Sequence, residues 1–225
     1  MIRLILFDID GTLIRSGGAG VRAFKETFAS EFGLPRATEN VVFAGRTDVA
    51  LVRQIFTANL IEPTPANFAR FFDRYPFFLD HYLHKLQGGP CEGVLDFIAA
   101  LQKAAEPPAL GLLTGNIRLG AELKLRRYNL WQHFVTGAFA DDHEDRNCIA
   151  GVAKNRGDEL LQRQLRGDEI IVIGDTAHDV ECGKSIGAKV LAVATGGVSL
   201  NELKRHTPAW AAQDLTRISA GQILA

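Results

Sequence analysis

The sequence predicts an α/β fold, a parallel sheet flanked by helices with an all-helical insertion after its first strand, on three observations. Four short runs are apolar without alternation, segments of helical length and pattern lie between them, and one long interval, residues 16–88, breaks the rhythm. Continuous apolarity over so few residues suits strands buried on both faces of a parallel sheet. Alternation of such strands with helices is the pattern that this architecture leaves in a sequence. With 225 residues, 47% of them hydrophobic and 23% charged, the chain can build one large domain or a domain carrying a smaller insertion.

Taken in order, "RLILFD" (3–8) is the first strand. The interval 16–88 follows, with no comparable strand and ten of the 14 phenylalanines. Phe24, Phe28 and Phe32 fall at i, i+4 and i+8, one apolar stripe of a helix, and Phe68, Phe71, Phe72, Phe77 and Phe78 form a second cluster. These rings are expected to be ordinary core. Glycine-rich stretches bracket the interval, "RSGGAG" (15–20) and "QGGP" (87–90), and suit paired linkers or hinges. The expected division is therefore an α/β core of residues 1–15 and 89–225 and a helical cap of residues 16–88, set over the carboxyl end of the first strand as a lid. Beyond it come a helix over 91–105, the strand "ALGLLTG" (109–115), a helix over 117–128 and a weaker strand at "FVTGAF" (134–139). A helix over 148–165, the strand "EIIVIGD" (169–175), a helix over 177–186 and the strand "KVLAVATG" (189–196) complete the series.

Composition excludes several function classes. Lysine and arginine total 25 against 26 aspartates and glutamates, with no long charged block, so neither nucleic acid nor an anionic membrane is expected as the main partner. Cys91, Cys148 and Cys182 are widely spaced and odd in number, which supports neither a disulfide framework nor a zinc cluster and fits a reducing compartment. Asp8 cuts the first apolar run too short for a secretory segment, and no stretch approaches a membrane span. A soluble, cytoplasmic protein is the expectation.

Polar residues gather where the strands end: Asp8 and Asp10 after "LILF", Thr114 after "LGLL", Asp175 after "IIVIG", with Asp179 four residues on. In open parallel sheets ligands bind outside the carboxyl ends of the strands, so these residues should converge. Four carboxylates at low dielectric would raise one another's pKa values unless a cation were present. All-oxygen ligation without clustered histidine or cysteine points to a hard ion, Mg²⁺ above all. Residues i and i+2 of an extended strand share a face, so one aspartate of "DID" could attack phosphorus while the other moves a proton. Gly11 allows a sharp turn that exposes backbone N–H groups to an anion, and Thr12 adds a hydroxyl. Plainer explanations exist: Asp-Gly is a common turn, Thr114 could cap the following helix, and Asp179 could be a first-turn carboxylate stabilised by the helix dipole.

Together these motifs resemble the haloacid dehalogenase superfamily, in particular its phosphoglycolate phosphatase-like branch with a helical cap. "DIDGT" (8–12) is similar to the first motif of that family, "LLTGN" (112–116) to its second and "IVIGDTAHD" (171–179) to its fourth, in the right order and with a cap-sized insertion between the first two. The resemblance implies a Rossmann-like core, Asp8 as nucleophile and Asp10 as general acid and base. It further implies Mg²⁺ held by the Asp8 side chain, the Asp10 carbonyl and Asp175 with Asp179 in support, and a phosphoryl group met by Thr114 and by the backbone at Gly115 and Asn116. The usual lysine of the third motif has no clear counterpart. Arg146 lies 29 residues before Asp175 and Lys154 lies 21 before it; Arg146 is preferred because it stands just ahead of the predicted helix, and a guanidinium suits phosphate. In "FAGRTD" (43–48), Arg46 is either part of a turn and helix start or a contact to the substrate when the cap closes. The implied activity is a Mg²⁺-dependent phosphatase of a small phosphorylated metabolite; a phosphosugar mutase of the same superfamily and a non-catalytic phosphate-binding protein are the alternatives.

Overall fold

The computed structural model describes residues 1–225. A six-stranded, wholly parallel sheet runs through it in the order β5-β4-β1-β6-β7-β8. The strands are β1 (Leu4–Phe7), β4 (Ala109–Leu113), β5 (Thr136–Ala138), β6 (Ile170–Gly174), β7 (Lys189–Val193) and β8 (Trp210–Ala212). Successive residues alternate between two cores. Ile5, Phe7, Leu110, Leu112, Ile171, Ile173 and Leu191 share one with α4 (Val94–Gln102), α5 (Arg118–Arg127) and α9 (Ala220–Leu224). Leu4, Leu6, Leu113, Ile170, Val172 and Val190 share the other with α6 (Arg146–Leu160), α7 (Ala177–Ser185) and α8 (Leu200–Arg205). Helices on both faces explain why the strands read as continuous apolar runs.

Three departures from expectation have local causes. Helix α6 begins two residues earlier than predicted because the Asp145 side chain accepts from Asn147 N at 2.7 Å and caps it. β8, α8 and α9 go beyond the expected series; each is short, and β8 is a half-buried edge strand of only three residues. Within the glycine-rich stretches, β2 (Ile14–Arg15) and β3 (Gly89–Pro90) pair antiparallel, so the chain leaves for residues 16–88 and returns through one small ribbon.

Between them lie α1 (Ala19–Phe32), α2 (Asp48–Ala58) and α3 (Pro65–Lys85), with a third hydrophobic core of their own. Phe24 and Phe28 of the apolar stripe are fully buried, against Phe56 and Phe71, and Phe32 packs at the edge. Phe77 is 60% exposed and lies under the Arg74 guanidinium rather than in the core, whereas Phe78, also in reach of Arg74, packs against the edge of the core. Ile117 and Ala140, from the loops after β4 and β5, complete this cluster and join it to the sheet. No helix is long and apolar enough to cross a membrane.

Candidate active site

β1 is the central strand, with β4 on one side and β6 on the other, so the chain order reverses beside it. The carboxyl ends of these three strands frame the crevice that such a reversal opens. Asp8 leaves β1 with its N–H on the Ile173 carbonyl at 2.9 Å. A tight turn follows, in which the Ile9 carbonyl accepts from Thr12, Leu13 and Ile14, and Gly11 donates to Ile14 O at 2.8 Å. Gly11 has φ 88°, and a Cβ there would lie 2.6 Å from Asp175 Oδ2, so the turn needs glycine for both conformation and space. Thr12 does not face the crevice as expected. Its hydroxyl donates to Asp175 Oδ1 at 2.9 Å, in the protein interior, and fixes that carboxylate.

Asp8, Asp175 and Asp179 are all buried, and one carboxylate oxygen from each lies within 4.8 Å of the others. Burial and the neighbouring Asp179 push Asp8 up to about 7, although Arg146 opposes the shift. Burial, Asp179 and Asp8 push Asp175 up to about 9. Arg146 is the counter-charge: one guanidinium nitrogen donates to Asp179 and reaches Asp8 Oδ1 at 3.4 Å, while its Nε is buried without a partner. Asp179 Oδ2 accepts from Thr176 N at 2.9 Å and Thr176 Oγ1 at 2.6 Å. With both oxygens bonded, Asp179 is fixed between the helix start and Arg146. Lys154 points elsewhere, pairing with Asp158 one helical turn on at 2.9 Å. Three buried, oxygen-only donors with a single arginine between them form a set that fits a hard divalent cation.

Asp10 is the half-exposed member, with its side chain 43% accessible beside the buried trio. Its Oδ2 accepts from Asn116 Nδ2 at 2.8 Å and from Lys124 Nζ at 2.5 Å. Asn116 Nδ2 also reaches Thr114 Oγ1 at 2.8 Å, and its carbonyl oxygen accepts from Lys124. Thr114 is wholly buried and does not cap α5, whose N-cap is Ile117. Lys124 was not singled out from the sequence. The signal was nonetheless present: it shares the buried stripe of α5 with Gly120, Ala121 and Leu125, where the helical period calls for an apolar residue.

The loop 43–48 and the start of α2 lie against the ends of β4 and β5. Asp48 N donates to Gly115 O at 2.7 Å, Ile117 N donates to Asp48 Oδ2 at 2.8 Å, and Thr47 Oγ1 donates to Glu144 O at 2.8 Å. Arg53 pairs with Glu144 at 2.8 Å. A Cβ on Gly115 would stand 2.3 Å from the Arg46 carbonyl, so this approach requires glycine. Arg46 lines the mouth of the cavity, but its guanidinium donates to Gln54 of its own unit. The cavity, about 510 Å³, is bordered by Asp8, Asp10, Gly11, Thr114, Gly115, Asn116, Arg146 and Asp175.

The chain is similar to known proteins over most of its length. Residues 5–193 match the model of the haloacid dehalogenase-like hydrolase family. A pyrophosphatase PpaX from Anoxybacillus flavithermus is 27% identical over 194 residues, covering 86% of this chain and 84% of its own. A phosphoglycolate phosphatase from Agrobacterium fabrum is 22% identical over 200 residues, covering 86% and 81%. Among solved structures, CbbY from Rhodobacter sphaeroides in complex with xylulose-(1,5)bisphosphate shares the fold at a TM-score of 0.75 and 18% identity, over 96% of this chain and 95% of that one.

Proposed function

The chain belongs to the haloacid dehalogenase-like hydrolases, and on that premise we propose that it is a Mg²⁺-dependent phosphatase of a small phosphorylated metabolite, working through an aspartyl-phosphate on Asp8. The observation that carries this reading is the buried cluster of Asp8, Asp175 and Asp179 around Arg146, with the half-exposed Asp10 beside it on the cavity.

Asp8 and Asp175 would hold Mg²⁺, with the Asp10 carbonyl completing the protein's share and Asp179 supporting through Arg146. When bound, the ion neutralises the carboxylates and draws charge from the phosphoryl oxygens. Asp8 Oδ attacks phosphorus, the bond from phosphorus to the alcohol oxygen breaks, and Asp10 gives its proton to that oxygen. A water then attacks phosphorus and yields its proton to Asp10. The bond to Asp8 breaks and inorganic phosphate leaves. Lys124 and Asn116 hold the Asp10 carboxyl at the place where both proton transfers occur. Thr114, Gly115 and Asn116 face the phosphoryl oxygens from the end of β4, and Gly11 from the turn after β1. Residues 16–88 act as a cap that excludes bulk water, with the contacts of Thr47 and Asp48 as its closed position.

Turnover of an aryl phosphate with Mg²⁺, lost on adding EDTA, tests the reading, and phosphoglycolate is the first metabolite to assay. Absence of activity on any phosphate ester, or activity indifferent to EDTA, would sink it.

A further inference from the structure

The cavity over Asp8 is larger than a phosphoryl group requires, and its far wall is built by residues that the phosphoryl chemistry does not use. Phe24, Phe43 and Leu51 supply apolar surface, and Tyr75 and Asp48 supply polar groups. Tyr75 is 1% exposed, with its ring against Phe24 at 4.9 Å and Phe71 at 5.8 Å. Its hydroxyl lines the cavity and bonds to no other protein group. A hydroxyl that no protein group pairs and that opens on a cavity is free to bond whatever occupies that cavity.

Asp48 lies beside it, 7% exposed, at the first turn of α2. One of its oxygens accepts from Ile117 N and the other carries no protein hydrogen bond. Lys124 Nζ approaches from α5 with its charge engaged by Asp10. Gly20 borders the same space, its Cβ position 3.6 Å from Lys124 Nζ and 3.8 Å from the Tyr75 hydroxyl. This wall therefore offers a hydroxyl, a carboxyl oxygen and a neutralised ammonium among aromatic and aliphatic surfaces. An anionic leaving group on this wall would meet the Asp48 carboxyl, and the one cation there, Lys124, is paired with Asp10; Arg15 and Arg46 border the cavity elsewhere, held by the Thr195 carbonyl and by Gln54. A neutral group with both hydroxyls and C–H faces matches each element of the wall.

Building on the phosphatase reading, we propose that Tyr75 and Asp48 form a hydroxyl-recognising subsite for the alcohol portion of the substrate. It selects phosphate monoesters of neutral polyhydroxy alcohols of sugar size over phosphoglycolate and pyrophosphate, whose leaving groups are anions.

The test compares kcat/KM of the full chain with Mg²⁺ on a hexose phosphate, glycerol phosphate, phosphoglycolate, pyrophosphate and p-nitrophenyl phosphate. The hydroxylated esters should exceed phosphoglycolate and pyrophosphate by about tenfold or more, and Tyr75→Phe should lower the ratio of hexose phosphate to aryl phosphate about tenfold, the effect of one hydrogen bond. Equal or better use of phosphoglycolate or pyrophosphate overturns the subsite. So does a Tyr75→Phe variant that slows every substrate by the same factor. The panel on the unaltered chain needs no variant to fold. If not even the aryl ester is hydrolysed, the phosphatase reading itself fails; if the aryl ester is turned over but the selectivity is reversed, only the subsite does.

Discussion

Arg146 is held by two buried carboxylates, Asp8 and Asp179, while Lys154 pairs with Asp158, which makes the two contributions separable. Arg146→Ala should lower kcat/KM by roughly 10²–10³, the usual cost of removing one preorganised donor from a site of developing charge. Lys154→Ala, which removes only a surface pair with Asp158, should change it less than about twofold. Equal losses in the two variants would remove Arg146 from the site. At this scale the sequence was informative where a residue type was out of place, as with aspartates ending a buried strand; Arg146, expected just ahead of a helix, is the first residue of α6. The sequence was silent on Tyr75, and it assigned the hydroxyl of Thr12 to a bound anion, whereas the partner of that hydroxyl is Asp175, 163 residues away. A one-dimensional pattern carries no record of which buried polar atom finds a partner.

Among the elements, the contact between the start of α2 and the loop after β4 decides how the helical unit sits over the site. Gly115→Ala places a methyl group against the Arg46 carbonyl, so that loop must withdraw. The expected result is faster amide exchange at Asp48, whose N–H bonds to Gly115 O, together with a several-fold loss of kcat/KM and a melting temperature close to that of the parent. Unchanged exchange and activity would show that this contact does not matter to closure. The strands that buried both faces were legible because continuous apolar runs have few other uses. The rest followed from chemistry that periodicity does not encode: β8 is three residues at an edge, and the first turn of α6 is polar because Asp145 caps it.

For the molecule as a whole, the buried carboxylates couple stability to pH and to metal. In the metal-free chain Asp8 and Asp175 are pushed up to about 7 and about 9, against an ordinary value of 3.8. Between the ordinary and the raised values the folded state holds protons that the unfolded state releases, so stability falls as pH rises from about 4 toward 9. This is the reverse of a salt-bridged aspartate. A divalent cation takes the place of those protons, and Mg²⁺ should therefore raise the melting temperature more at pH 8 than at pH 5.5. A shift independent of pH would separate the metal from these carboxylates. The layered sheet was legible in the order of strands, and a parallel sheet brings its carboxyl ends to one edge, where Asp8, Thr114 and Asp175 line one cavity. The shape of the cavity was not, since it depends on how residues 16–88 fold back over that edge.

The central claim is that Asp8 takes the phosphoryl group. Acid quenching during turnover of a radiolabelled phosphate ester with Mg²⁺, followed by peptide mapping, measures this directly. The account predicts label on the peptide that holds Asp8, and neither label nor turnover in Asp8→Asn; label on another residue, or turnover that survives Asp8→Asn, would contradict it.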